Sequence, residues 1–255
     1  MWNYECVNSG EDYLAHHGIL GMKWGVRRYQ NSDGTLTSAG KKRYSSEKAV
    51  IDYENKGTIP KGHKFNRVGA DHLDVNKSGA LYVSSGKDDA ARYVKYLGPT
   101  LLSKLLNQAS YNMQDITVGS DMNIASQKKT VDLTEKFLEE RKDAKKILDN
   151  SFSGLVLDGD YSNANKVAWA FGGMLADPAY ADLAKDFYEY VRKSGYDCIV
   201  DVFDRYSGTS NTATIIVNPN KVKVESVTYI TKDVMQEARN YVKSIEKLEV
   251  ADFLK

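Results

Sequence analysis

Cysteine is nearly absent from this chain. The two that occur, Cys6 and Cys198, lie far apart and form no Cys-x-x-Cys pair. A reduced, intracellular setting is therefore the default expectation. Long apolar runs are missing as well. The longest weakly polar stretch, Val167 to Ala176, falls far short of the roughly 20 residues a membrane helix needs. The opening Met-Trp-Asn-Tyr-Glu-Cys has neither a basic start nor an apolar core, so it does not read as a signal peptide. The chain is expected to be neither exported by the standard route nor embedded in a membrane. There is little surplus charge: the formal total is +1, which gives no general argument for nucleic acid or lipid. No Gly-x-x-x-x-Gly-Lys-Ser/Thr loop exists, and Gly172-Gly173 does not follow a strand as a phosphate loop would. Nor is there a nucleophile elbow, and Asp71-His72 with Ser78 reads as a solvated loop.

What is present suffices for a core. The chain has 255 residues, 42% of them hydrophobic, with 17 tyrosines. That allows one large domain with an appendage, or two small ones. The most distinctive stretch is Tyr13 to Tyr44, YLAHHGILGMKWGVRRYQNSDGTLTSAGKKRY. Glycines at 18, 21 and 25 oppose a regular helix and permit tight turns. Ile19, Leu20, Met22, Trp24 and Val26 could form a small apolar plug, too small to fold alone. Asn31-Ser32-Asp33-Gly34 has turn chemistry, and Thr37 suits a helix N-cap. Between Lys23 and Lys48 seven basic residues face two acidic ones. Such a stretch reads as a docking peptide: Trp24 as anchor, Arg27 and Arg28 paired with carboxylates or phosphates, and His16, His17 and Tyr29 beside them. The plainer alternative is a basic, solvated arm packed on its own domain. Nucleic acid is a further candidate partner, because basic residues with aromatics form its usual footprint. His16-His17 has no Cys or carboxylate at ligand spacing, so no metal site is expected.

From His16 to Tyr44 the stretch closely resembles a signature of proteins from tailed phages and prophages of Gram-positive bacteria. Those proteins are described as minor head or structural proteins. The resemblance implies a virion-associated protein, located in the virion and host cytoplasm, with capsid, portal or other virion proteins as partners. It implies no reaction.

Along the chain, Lys41 to Asn55 reads as a polar helix, and a boundary is expected after residue 57. Residues 1–57 would be the docking module and 58–255 the main domain. Strands are expected at Lys64–Val68, Ala80–Ser84, Asp115–Val118, Tyr196–Phe203, Thr212–Val217 and Lys221–Ile230. Helices are expected at Lys87–Leu97, Thr100–Met113, Val131–Leu148 and Asn163–Leu175, from Asp177 to Gly195, and over 232–248. Gly154 to Asp158 reads as weak strand or loop. With no βαβ alternation, the class is α+β with a mostly antiparallel sheet and flanking helices.

Three places in the main domain resemble the ADP-ribosyltransferase fold. Lys64-Phe65-Asn66-Arg67-Val68 is similar to that family's first strand with its arginine. Leu81-Tyr82-Val83-Ser84-Ser85, followed by Asp88-Asp89-Ala90-Ala91-Arg92-Tyr93, is similar to its Ser-Thr-Ser strand and the next helix. Gly195-Tyr196-Asp197-Cys198-Ile199-Val200 and Ile215-Ile216-Val217-Asn218-Pro219 are similar to a late strand pair in phage and toxin members. The resemblance implies a split sheet and an NAD site formed by Arg67, Tyr82, Ser84, Ser85 and Tyr93. It also implies a glutamate beside the ribose, to stabilise positive charge as nicotinamide leaves. The expected position falls at Ala213 or Thr214, and neither is acidic. Asp201 and Asp204 are the candidate catalytic substitutes, with Glu225 a further acid downstream. The second reading is thus a virion-delivered NAD-dependent ADP-ribosyltransferase acting on a host protein.

Overall fold

The computed structural model describes residues 49–69, 78–85, 112–207 and 209–230, together with Asp89, Tyr93, Gln236 and Asn240. The signature stretch and its docking candidates His16, His17, Trp24, Arg27, Arg28 and Tyr29 lie outside the described residues.

The molecule is α+β. The described elements begin with helix α1 (49–56) and strands β1 (Thr58–Ile59), β2 (Lys64–Gly69), β3 (Leu81–Val83), β4 (Asn112–Val118) and β5 (Met122–Ala125). Helices α2 (Gln127–Glu140), α3 (Lys142–Asp149), α4 (Phe152–Leu155), α5 (Ala164–Leu175) and α6 (Ala181–Lys193) follow. Then come β6 (Cys198–Val200), α7 (Val202–Tyr206), β7 (Thr214–Ile216) and β8 (Val222–Tyr229).

The strands form a five-stranded sheet in the order β1-β5-β6-β7-β3 and a three-stranded sheet in the order β2-β4-β8. All the pairings are antiparallel except β5 with β6, which run parallel at Ile124–Cys198 and Ala125–Ile199. A parallel pair needs a long crossover, and here α2 to α6 supply it. That corrects the expectation of no strand–helix–strand unit. Period-two alternation sorts the side chains. Ile199, Ile215 and Ala125 face the helices and meet Phe137, Phe171, Phe187 and Tyr188. Cys198, Ile216, Ile124 and Leu81 face the other way, onto Phe65, Ile116 and Val118 of the smaller sheet. The result is three layers: helices, five strands, three strands.

Several elements differ from expectation. The helix expected over 131–148 is two, broken at Arg141, whose φ −106° and ψ 78° leave the helical region. The end of the helix expected at 100–113 is strand, because Asn112 and Met113 pair with Gly69 and Val68. Gly154–Asp158 is neither strand nor open loop, since α4 and its turn occupy 152–159. The strand expected over Tyr196–Phe203 stops at Val200, where Asp201 caps α7. Gly172-Gly173 has a packing role. A β-carbon at Gly173 would lie 2.7 Å from the Phe203 ring, so the glycine lets α7 cross α5 closely.

Residues 49–57, expected in the N-terminal module, pack on the main domain. Val50 is fully buried, and Glu54 pairs with Arg205 at 2.6 Å. Among the described residues no helix is long and apolar enough to cross a membrane.

Candidate functional site

The first polar constellation lies on β2 and β4. Arg67 and Gln114 are register partners, and Gly69 faces Asn112. Moving along this inward face, apolar Phe65, Ile116 and Val118 give way to Arg67, Gln114 and Asn112, all buried. The Gln114 amide donates to Asn112 Oδ1 at 2.9 Å. The Arg67 guanidinium folds back over Gly69, where a β-carbon would sit 3.3 Å from Cζ. Glycine therefore leaves the space this arginine fills. Asn66 and Ser84 exchange backbone hydrogen bonds at 2.7 and 2.9 Å, which sets the Ser84 strand beside the Arg67 strand. Ser84 is buried, and its hydroxyl has no hydrogen-bond partner among the described residues. An arginine fork so placed can hold a phosphate or carboxylate.

The second constellation is built around α7. Asp201 caps that helix by accepting from Asp204 N at 3.1 Å. Its carboxyl is buried, which pushes it up to about 7, aided by the neighbouring Asp204 charge. Asp204 accepts from the Tyr93 hydroxyl at 2.6 Å. Burial raises Asp204 too, while the Tyr93 hydrogen bond opposes the rise. Tyr93 is pushed well above the ordinary phenol range, chiefly by burial and then by Asp204. Asp89 Oδ2 accepts from Ser210 Oγ at 3.0 Å and Thr212 Oγ1 at 2.8 Å. Thr212 Oγ1 also accepts from Ser85 N at 2.8 Å. Asp89 and Tyr93 thus form a clamp on Asp204, Ser210 and Thr212.

Two further pairs flank the clamp. The Tyr82 and Tyr188 hydroxyls lie 2.7 Å apart, and burial raises both. Ser85 Oγ lies 2.9 Å from His63 Nε2. That imidazole is pushed down to about 4 by burial and sits edge-on to Tyr53 and Phe65. A small cavity of about 20 Å³ lies behind Asp201 and is lined by Tyr188, Thr130 and Thr134 among mainly apolar neighbours.

The structure therefore gathers Tyr93, Asp204 and Asp201 in one network, with Ser85 joined through Thr212 and Asp89. Arg67 and Ser84 share the β2–β3 edge. Tyr82 engages Tyr188 on the helix side of the larger sheet. Ala213 and Thr214 are fully buried. The Ala213 carbonyl accepts from Arg205 Nε at 3.1 Å and Asp201 N at 3.0 Å. Sequence reasoning missed Asp89, Ser210, Thr212, Asn112 and Gln114. Polar residues at alternate inward positions would have marked the last two, had Asn112 not read as helix and Gln114 as the gap before the next strand.

Comparison with known proteins adds little chemistry. Residues 7–31 match a family of unknown function (DUF7211), which overlaps the first half of the signature stretch. No curated protein matches the chain. A chain from the crystal structure of the M. tuberculosis MbcT–MbcA toxin–antitoxin complex is similar over 75% of this chain and 96% of that one, at 10% identity and a TM-score of 0.37. A likeness of that size carries no argument about function.

Proposed function

We propose that this chain is a virion-associated protein of a tailed phage or prophage, docked through His16–Tyr44. Its domain keeps an ADP-ribosyltransferase-like split sheet as a structural body that does not turn over NAD. The signature supports the virion context. One observation carries the absence of turnover: both carboxylates nearest the expected glutamate position are already engaged, Asp201 as a helix cap and Asp204 with Tyr93. Burial also raises both carboxyls toward the neutral form, which weakens any stabilisation of an oxocarbenium-like ribose. Peptide mass spectrometry of purified particles tests the first part. Peptides from both halves at fixed stoichiometry are expected, and their absence from particles sinks it. The test of the second part is NAD consumption by the purified protein. No difference from Arg67→Ala is expected, and loss of NAD that falls with that substitution overturns it.

That outcome would favour a second reading, a virion-delivered NAD-dependent ADP-ribosyltransferase. Its support is the Arg67 strand set beside Ser84, with Gly69 clearing room for the guanidinium. Arg67 would then hold the dinucleotide phosphates, and NAD would be the ADP-ribose donor.

A further inference from the structure

Asp158 stands apart in its backbone. Among the described residues it is the one non-glycine with a positive φ, 50°. Gly159 follows at φ 73°, and the Asp160 N–H donates to the Leu157 carbonyl at 2.9 Å. Two left-handed central residues closed by that bond make a type I′ turn. The sequence suits it, since Asp-Gly is a favoured pair there. The turn is held at its ends. Leu157 is fully buried and donates its N–H to the Gly154 carbonyl at 2.9 Å. Asp160 Oδ1 accepts from Ser162 N at 2.9 Å. The middle is not held. Asp158 and Gly159 are exposed, and among the described residues the peptide unit joining them neither donates nor accepts a hydrogen bond. A β-carbon at Gly159 would meet nothing within 4 Å.

A central peptide with no hydrogen bond to lose can turn over while its ends stay in place. That flip converts type I′ into type II′. Asp158 keeps its positive φ and takes a ψ of about −120°, while Gly159 moves to a negative φ. Glycine reaches both signs at little cost. In an L residue that ψ eclipses the following nitrogen with Cβ. Gly159 N then lies against the Asp158 side chain, one bond short of a five-membered ring through Cγ. At a negative φ the same ψ falls outside the allowed regions. The turn has already placed Asp158 on the side from which it is reached.

We propose that the folded chain forms isoaspartate at Asp158 without an enzyme. Gly159 N bonds to Cγ of the protonated carboxyl. The amide proton and the carboxyl hydroxyl leave as water, giving a succinimide. A solvent water then adds to one of the two ring carbonyls. Opening at Cγ restores aspartate. Opening at the main-chain carbonyl leaves the chain running through Cγ, longer by one methylene, with the carboxylate on Cα. Nothing is oxidised or reduced, and the mass returns to its starting value. The inference depends on neither reading of the protein's function.

The test is storage of the folded full chain for several weeks in warm, mildly acid buffer, beside a free peptide of residues 152–165. Proteolysis and electron-transfer fragmentation then locate isoaspartate. Asp158 is expected to convert in the folded chain no more slowly than in the peptide. Gly159→Ala should slow conversion about tenfold, because an L side chain resists the flip and crowds the attacking nitrogen. Asp158→Asn keeps a residue suited to left-handed backbone. It should melt like the parent and react faster, with ammonia leaving in place of the first water. This variant keeps the proposal testable if the alanine chain folds poorly. A folded chain that stays unmodified while the peptide converts overturns the proposal, because the turn would then protect the bond. A rate unchanged by Gly159→Ala, or an asparagine variant that reacts no faster, overturns it as well.

Discussion

Asp201 commits its carboxylate to the backbone of α7, and the pH dependence of the molecule follows from that. Folded, its carboxyl holds a proton up to about 7, against roughly 3.9 in an unfolded chain. The folded state therefore binds more protons between those values. The stabilisation from neutral Asp201 is complete below the unfolded value and is lost as pH rises through the folded one. Thermal melts should fall between about pH 4 and pH 7 by this linkage. Asp201→Asn retains an oxygen for the Asp204 amide and cannot titrate, so its melting temperature should vary less over the same range. Asp204 is also raised and should leave a residual slope. A wild-type profile as flat as the variant's would refute the assignment. Tyr93→Phe removes the hydroxyl that Asp204 accepts and leaves that carboxylate short of a donor. Denaturant titration should show a loss of about 1–3 kcal/mol.

At the scale of elements, close approaches decide what is tolerated. Gly154→Ala would drive a methyl into the Leu148 carbonyl, where only a backbone shift could relieve it. Overpacking of this kind costs about 1–3 kcal/mol and occasionally more, and equilibrium unfolding should place this variant at or above the upper end. Elements whose signals are local were legible in the sequence. Asn163 caps α5 by accepting from Lys166 N, and strands β2, β3 and β8 fall close to their expected limits. Elements set by distant partners were not. Met122–Ala125 is strand because β1 and β6 flank it, and its four residues carry no pattern of their own. The run from Tyr196 to Phe203 alternates well enough to hide the point where Asp201 turns it into a helix. Arginine is a good helix former, so nothing local announced the break at Arg141. At the candidate site, Arg67, Ser84 and Tyr93 were singled out by resemblance and Asp204 as a nearby acid, whereas the clamp through Asp89 depends on residues more than a hundred positions away.

For the whole molecule, the expected boundary near residue 57 meets a packing constraint. α1 contributes Val50 to the interior and Glu54 to a nearly buried ion pair. Removing one member of such a pair costs about 3–5 kcal/mol, because the other charge stays desolvated. A chain starting at residue 49 should therefore melt at least as cooperatively as one starting at 58, and at a higher temperature. Equal melting temperatures would show that α1 contributes nothing to the domain.

The strand order also bears on synthesis. Among the described residues β3 pairs within its own sheet with β7, Val83 opposite Thr214, and β6 bridges β5 to β7 across the larger sheet. While the chain is being made, the helices can form as they emerge, but β3 has no neighbour in its sheet until the last quarter has been translated. Closure of the larger sheet is therefore a late step that follows synthesis, and long-range pairings of this kind fold slowly. A ribosome stalled before Thr214 would hold a chain whose β3 lacks its partner in the larger sheet, a species prone to aggregate.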